Sequence, residues 1–120
     1  MRVSIIGAGA MALAAASYLK LKDVSFLVYV RSEKKLAAWS TKPVRVTGVM
    51  ESSFYVPMAK TMKEAVNYSD TVIICTRAGD YEDVINELLP CLRKGQCILF
   101  LNGCWGAVKT YWYDSTRKTE

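Results

Sequence analysis

The segment Val3-Ser4-Ile5-Ile6-Gly7-Ala8-Gly9-Ala10-Met11-Ala12 restricts this chain more than any other. A short run rich in β-branched residues stops at a glycine. From Ala10 small and apolar residues then continue at helical spacing through Leu13, Ala14, Ser17, Tyr18 and Leu21. This is the pattern of a buried strand, a glycine turn and a helix. The turn reads G-x-G-x-x-A, and its setting between strand and helix separates it from a chance match. Gly7 permits the tight turn, Gly9 lets backbone approach a pyrophosphate, and Ala12 is small enough for the helix to pack on the strand. Ala8, Ala10 and Met11 complete the loop and the first helical turn, whose free N–H groups and positive dipole end favour phosphate.

The rest of the chain repeats the alternation. Val24 to Val30 is a second apolar run, closed by Arg31-Ser32, and EKKLAAW beyond it has helical composition with Ser32 as N-cap. Two extended stretches, VRVTG and SSFYV, flank Gly48 and stop at Pro57, giving a third strand with a small hairpin beside it. Thr61 and Glu64 form a capping-box pattern that opens a short helix. A fourth strand follows at Thr71 to Thr76. Asp80 to Leu92 is an amphipathic helix carrying Val84, Ile85, Leu88 and Leu89 on one face, with Pro90 expected to end or kink it. The fifth strand is Cys97 to Leu101, and after the loop NGCWG the segment GAVKTYWYD starts another helix. Strands that read as continuous hydrophobic runs are buried on both faces, so the expected architecture is α/β, a doubly wound parallel sheet of dinucleotide-binding type.

Composition excludes several alternatives. A chain of 120 residues, 52% hydrophobic and 22% charged, holds one core and suits a single dinucleotide-binding domain over residues 1–120. Glycines interrupt the N-terminal apolar run too early for a signal peptide or a membrane span. Cys75, Cys91, Cys97 and Cys104 form no CxxC pair, and there is no histidine, so a metal site is not expected. Reduced thiols acting mainly as small hydrophobes, in a cytoplasmic protein, are the simplest reading. The net charge of +5 is scattered except around Arg31, Lys34, Lys35, Lys42 and Arg45. No basic stripe interleaved with aromatics suggests nucleic acid, and the local cluster suits a smaller phosphate.

Which phosphate is legible at the end of the second strand. NAD-binding domains place an Asp or Glu there to hold the ribose diol. Here the residues are Tyr29-Val30-Arg31-Ser32, with no acid before Glu33. Arg31 offers a planar fork to a 2′-phosphate and Ser32 a hydroxyl, so NADP is the expected cofactor, with NAD as a second. In open parallel sheets the ligand lies beyond the carboxyl ends of the strands, at the point where strand order reverses. Thr76-Arg77-Ala78 after the fourth strand and Asn102-Gly103 after the fifth should therefore line the cleft, with the latter pair beside the nicotinamide half.

On these residues the chain resembles dehydrogenases that join a 6-phosphogluconate dehydrogenase-type Rossmann domain to a helical C-terminal domain. IIGAGAMALAAASYL, YVRS, EAVNYSDTVIIC and LLPCLRKGQCILFLNGCWG look most like the octopine/opine dehydrogenase family. The stretch from Val44 to Met62 and the phrase LLPCLRKGQ favour it. Ketopantoate reductase is the close rival, favoured by the small-residue glycine loop, by the arginine after the second strand and by a TRA segment resembling its TKA, with Arg77 in place of the lysine. Its NGxG signature is matched imperfectly, because NGCWG carries one extra residue.

Either resemblance implies that the proton donor and most substrate contacts come from a helical domain outside this chain. Opine-type enzymes are expected to use a histidine there, in keeping with its absence here. The implied function is NADP(H)-dependent reduction of an imine formed from an amino acid and a 2-oxo acid, or of a 2-oxo acid directly. The competing reading is a non-catalytic nucleotide-binding module. A small-molecule substrate is the expected partner, and homo-oligomers are compatible with either.

Overall fold

The computed structural model describes residues 2–7, 10–31, 44–46, 52–76 and 80–101. Strand β1 is Arg2–Ile6, helix α1 Ala10–Leu21, and β2 Ser25–Tyr29. A short antiparallel hairpin follows, β3 Val44–Val46 paired with β4 Ser52–Phe54. Helix α2 is Met62–Tyr68, β5 Thr71–Ile74, α3 Tyr81–Leu88, and β6 Cys97–Phe100. The main sheet has four strands in the order β2-β1-β5-β6, and every adjacent pair is parallel. This is the expected α/β architecture, and the expected hairpin is present. The helices expected over EKKLAAW and after NGCWG lie outside the described residues.

Helix α1 packs on β1 and β2 from one side, burying Ala12 and Ala16 in a core with Val3, Ile5, Phe26, Val28 and Cys75. The hairpin closes the same side through Phe54, whose ring meets Phe26 edge-on at 6.2 Å. Helices α2 and α3 cover the opposite side, where Ile6, Val72 and Ile74 meet Ala65, Val66, Val84, Ile85 and Leu88. Ser4, buried in β1 on that side, donates to the carbonyl of Ala65 and lies 2.9 Å from the Ser69 hydroxyl, so a polar atom inside the sheet is fully satisfied.

Four local departures have physical causes. Val24 is not in β2, because its N–H donates to Leu19 O in the cap that ends α1. The segment after Pro57 does not leave the sheet. The Val28 N–H donates to the Pro57 carbonyl, the Ala59 N–H donates to Val28 O, and Met58 forms a single parallel bridge outside β2. The third strand position is thus reduced to one bridge, which the missing N–H of proline does not prevent. Helix α3 stops at Leu88 and tightens into a 3-10 turn over Leu89–Cys91, since Pro90 has no N–H for the Asn86 carbonyl. Strand β6 is exposed at Cys97 and Leu99 while Ile98 and Phe100 pack against the core on the side of α2 and α3, since among the described residues α1 packs chiefly on β1, β2 and the hairpin. The expectation of burial on both faces therefore holds for β1 and fails for β6.

The capping-box reading of Thr61 needs one correction. Thr61 Oγ1 accepts from the Glu64 N–H at 3.1 Å, as the pattern implies, but the Glu64 carboxylate takes the N–H of Lys60 rather than that of Thr61.

Helix α1 ends in a left-handed residue that is not glycine, Asp23 with φ 57°. The Val24 N–H reaches Leu19 O at 2.9 Å and the Asp23 N–H reaches Lys20 O at 3.2 Å, the two bonds of a Schellman cap. Glycine adopts this conformation without the Cβ penalty. Asp23→Gly is expected to stabilise the fold by about 0.5–1 kcal/mol, read as a higher denaturant midpoint at unchanged slope.

Candidate cofactor site

The sheet order places the reversal between β1 and β5. From β1 the chain runs outward to β2 and then returns to β5 on the other side. At the carboxyl end of that gap Gly7 and Thr76 face one another as its two lips. Gly7 has φ +134°, and a Cβ built on it would lie 2.9 Å from the Cys75 carbonyl carbon and 3.2 Å from the Thr76 nitrogen. The turn glycine is therefore required twice, for its backbone conformation and for the close passage of β5. The Gly7 N–H donates to Tyr29 O at 3.0 Å, so the same residue also fastens the end of β2.

Of the expected site residues, the structure brings Gly7, Ala10, Met11, Ala12, Arg31 and Thr76 to this end of the sheet. Ala10 opens α1, Met11 is exposed on its first turn, and Ala12 is buried against the strands, as its small size predicts. Ala8, Gly9, Ser32, Arg77, Ala78, Asn102 and Gly103 lie outside the described residues. Two surface depressions, of about 320 and 410 Å³, open at the other end of the strands among Lys20, Ser25 and Pro57 and among Arg2, Asp70 and Arg93. Their position at the amino ends of the strands sets them apart from the dinucleotide cleft of such a sheet.

Arg31 follows β2 and its side chain is 41% exposed. Its Nε lies 3.6 Å from Glu87 Oε2 on α3. The other carboxylate oxygen accepts a hydrogen bond from the Tyr29 hydroxyl at 3.0 Å. Burial pushes the Tyr29 phenol above its usual ionisation range, and the bond to Glu87 and the charge of Glu87 add to the effect, while Arg31 opposes it. Sequence reasoning missed Glu87. It sits 56 positions after Arg31, and only the passage of α3 across the sheet brings the two together.

Among the described cysteines Cys75 is buried, Cys91 half-buried and Cys97 exposed. The first fits the reading of cysteine as a core filler and the last departs from it, because Cys97 lies on the more exposed face of β6 with Leu99. Burial lifts the Cys75 thiol to about 11. Among the described residues no group of acidic, Cys or His side chains is placed to hold a metal, and no helix is long and apolar enough to cross a membrane.

The family description "Ketopantoate reductase PanE/ApbA" matches residues 3–110. The chain belongs to this family. No curated protein sequence matches it. Among solved structures it is similar to a PanE/ApbA family ketopantoate reductase from Ralstonia eutropha, with TM-score 0.79 and 23% identity over 93% of this chain and 38% of that one. It is also similar to an imine reductase from Myxococcus stipitatus in complex with NADP+, with TM-score 0.62 and 19% identity over 84% of this chain and 32% of that one. A V8 variant of the Myxococcus stipitatus imine reductase, in complex with NAD+, gives TM-score 0.64 and 20% identity over 98% of this chain and 37% of that one. The chain thus spans about a third of the length of these solved proteins. Of the two resemblances in the sequence, the family match falls on ketopantoate reductase, and opine dehydrogenase is not specifically supported.

Gly7→Ala is expected to cost roughly 2–4 kcal/mol, since a disfavoured φ and a contact with immovable backbone add together. Denaturant unfolding checks it, and a cost under 0.5 kcal/mol would contradict the close passage of β5. The thiols should alkylate in the order Cys97, Cys91, Cys75, read by mass spectrometry of native protein. For Cys75 the sign follows from a folded-state value above the unfolded one. Its contribution to stability is complete below the ordinary thiol range and is lost as pH rises toward about 11.

Proposed function

We propose that residues 1–120 form the NADP(H)-binding domain of a ketopantoate-type reductase, acting with a further, helical domain that holds a 2-oxo acid substrate. The observation that carries this reading is the position of Gly7 and the α1 N-terminus at the sheet's reversal point, with an arginine and no carboxylate just beyond β2. The family match supports the reaction class.

The residues present suit a dinucleotide. The start of α1, with Ala10 and Met11, would offer N–H groups to the pyrophosphate, and Ala8 and Gly9 just before it would join them. A side chain at Gly7 would strike β5, so the turn stays tight and the helix keeps its direction toward the phosphates. Arg31 with Ser32 would hold the 2′-phosphate, and Thr76, Arg77 and Ala78 with Asn102 and Gly103 would flank the nicotinamide half. When bound, the cofactor supplies the hydride. The chain's own share is to bind and orient it, and effective reduction further requires a substrate carbon held against the nicotinamide. Residues 1–120 contain no histidine, so a histidine proton donor would belong to the further domain. On this reading the domain alone binds nucleotide with little or no turnover.

Solved imine reductases share the fold, so imines belong in the substrate screen beside 2-oxo acids. Screening the full-length protein with NADPH against 2-oxo acids, alone and with amino acids, separates the two reductive reactions. Turnover only in the presence of both partners would favour the opine-type reaction.

Calorimetry with both nucleotides tests the cofactor assignment. NADPH should bind more tightly than NADH. Charge-assisted contacts of this kind contribute roughly 1.5–3 kcal/mol, so Arg31→Ala should weaken NADPH binding by about tenfold to a hundredfold and leave NADH nearly unchanged. Equal affinities in the wild type, or equal losses in the variant, would overturn the role of Arg31.

A further inference from the structure

Arg31 already has an anion beside it. The Glu87 carboxylate meets its guanidinium from α3 and is itself tied to β2 by the Tyr29 hydroxyl, while the Arg31 and Glu87 side chains remain 41% and 39% exposed. The Arg31 contact is at Nε. A guanidinium has five N–H donors, and four of them belong to the terminal nitrogens, which can fork onto a phosphate. The carboxylate therefore does not block the guanidinium, yet it sits where a second anion must come close.

We propose that Glu87 is a specificity-determining residue of the dinucleotide site, an internal anion that shares Arg31 with the 2′-phosphate and so holds down the preference for NADPH over NADH. This rests on Arg31 as the reader of that phosphate. Two opposite effects of Glu87 can be weighed. A carboxylate that gripped Nε through a directional hydrogen bond would orient the fork and assist phosphate binding. At 3.6 Å the contact is too long for such a bond, so it gives charge attraction with little orientation. The charge effect remains. A 2′-phosphate carries nearly two negative charges at neutral pH and is repelled by a carboxylate on the same cation. NADH presents only a neutral diol there and feels no such repulsion. The Tyr29 bond matters because it keeps the carboxylate beside Arg31 when phosphate arrives, rather than letting it swing into solvent.

Glu87→Gln removes the charge with almost no change of shape, at a half-exposed position where folding is not at risk. In full-length protein the variant should bind NADPH about two- to fivefold more tightly, the range expected for a partly exposed ion pair. NADH affinity should not change. The gain should shrink as salt rises and vanish in the Arg31→Ala background, where no shared cation remains. Tyr29 gives a readout that needs no nucleotide. Glu87 supplies two of the three causes that raise its phenol, so in Glu87→Gln the Tyr29 ionisation, followed by NMR, should move down toward the usual tyrosine range.

Weaker NADPH binding in Glu87→Gln, equal changes for both nucleotides, or an unmoved Tyr29 titration would each overturn the inference. If the wild type binds neither nucleotide, or Arg31→Ala leaves the NADPH to NADH ratio unchanged, the cofactor assignment fails and this inference with it. If Arg31→Ala lowers that ratio while Glu87→Gln leaves it unmoved, only the role of Glu87 is lost.

Discussion

Three strand ends converge on the backbone of Gly7, and the candidate site is arranged around that convergence. Its N–H holds the end of β2, the preceding carbonyl of Ile6 accepts from the Cys75 N–H at 2.8 Å, and its α-carbon stands against the Cys75 carbonyl. All three of these contacts are made by main-chain groups. The reversal of strand order occurs here, so the lip of the cleft consists of main-chain groups whose positions depend on the sheet ladder. Helix α1 starts three residues later, and its direction is fixed by Ala12 and Ala16 lying flat on β1 and β2. Small residues set the helix against the sheet, and the missing Cβ sets the turn.

A junction made from backbone asks for particular residues at few positions. Resemblance to the Ralstonia eutropha reductase at TM-score 0.79 and 23% identity is understandable on that basis. Most of the sheet requires only apolar side chains of suitable size, a condition many sequences meet. Gly7 and the small face of α1 are less forgiving, and they are the features that stand out when the sequence is read unaided.

That difference explains which parts of the molecule were legible in advance. Central strands, the glycine turn, the Thr61 cap and the break at Pro90 are local signals, each carried by a few adjacent residues. The expected hairpin also followed from two short extended runs around Gly48. Features that depend on distant neighbours were not legible. Met58 beside β2 looks like a strand stopped by proline, because sequence shows the missing N–H and not the direction it faces. Cys97 and Leu99 read as core residues until the reach of α1 is known. Glu87 reads as one more charge on an amphipathic helix, and its meeting with Arg31 and Tyr29 needs α3 laid across the face of the sheet. The preference for opine dehydrogenase over ketopantoate reductase is not specifically supported for a related reason, since LLPCLRKGQ is mainly a helix end and a turn and says little about chemistry.

The two sides of the sheet also differ in how far they are finished. Under α2 and α3 the apolar faces of β5 and β6 are covered, through Ile74, Ile98 and Phe100. On the α1 side the described core runs over β1 and β2 to Ile73 and Cys75 at β5, and Leu99 of β6 remains 45% exposed. The ion pair of Arg31 and Glu87 belongs to the finished side, where Tyr29 anchors the carboxylate from within the packed layer. Cofactor discrimination would then be set by elements already locked into the core.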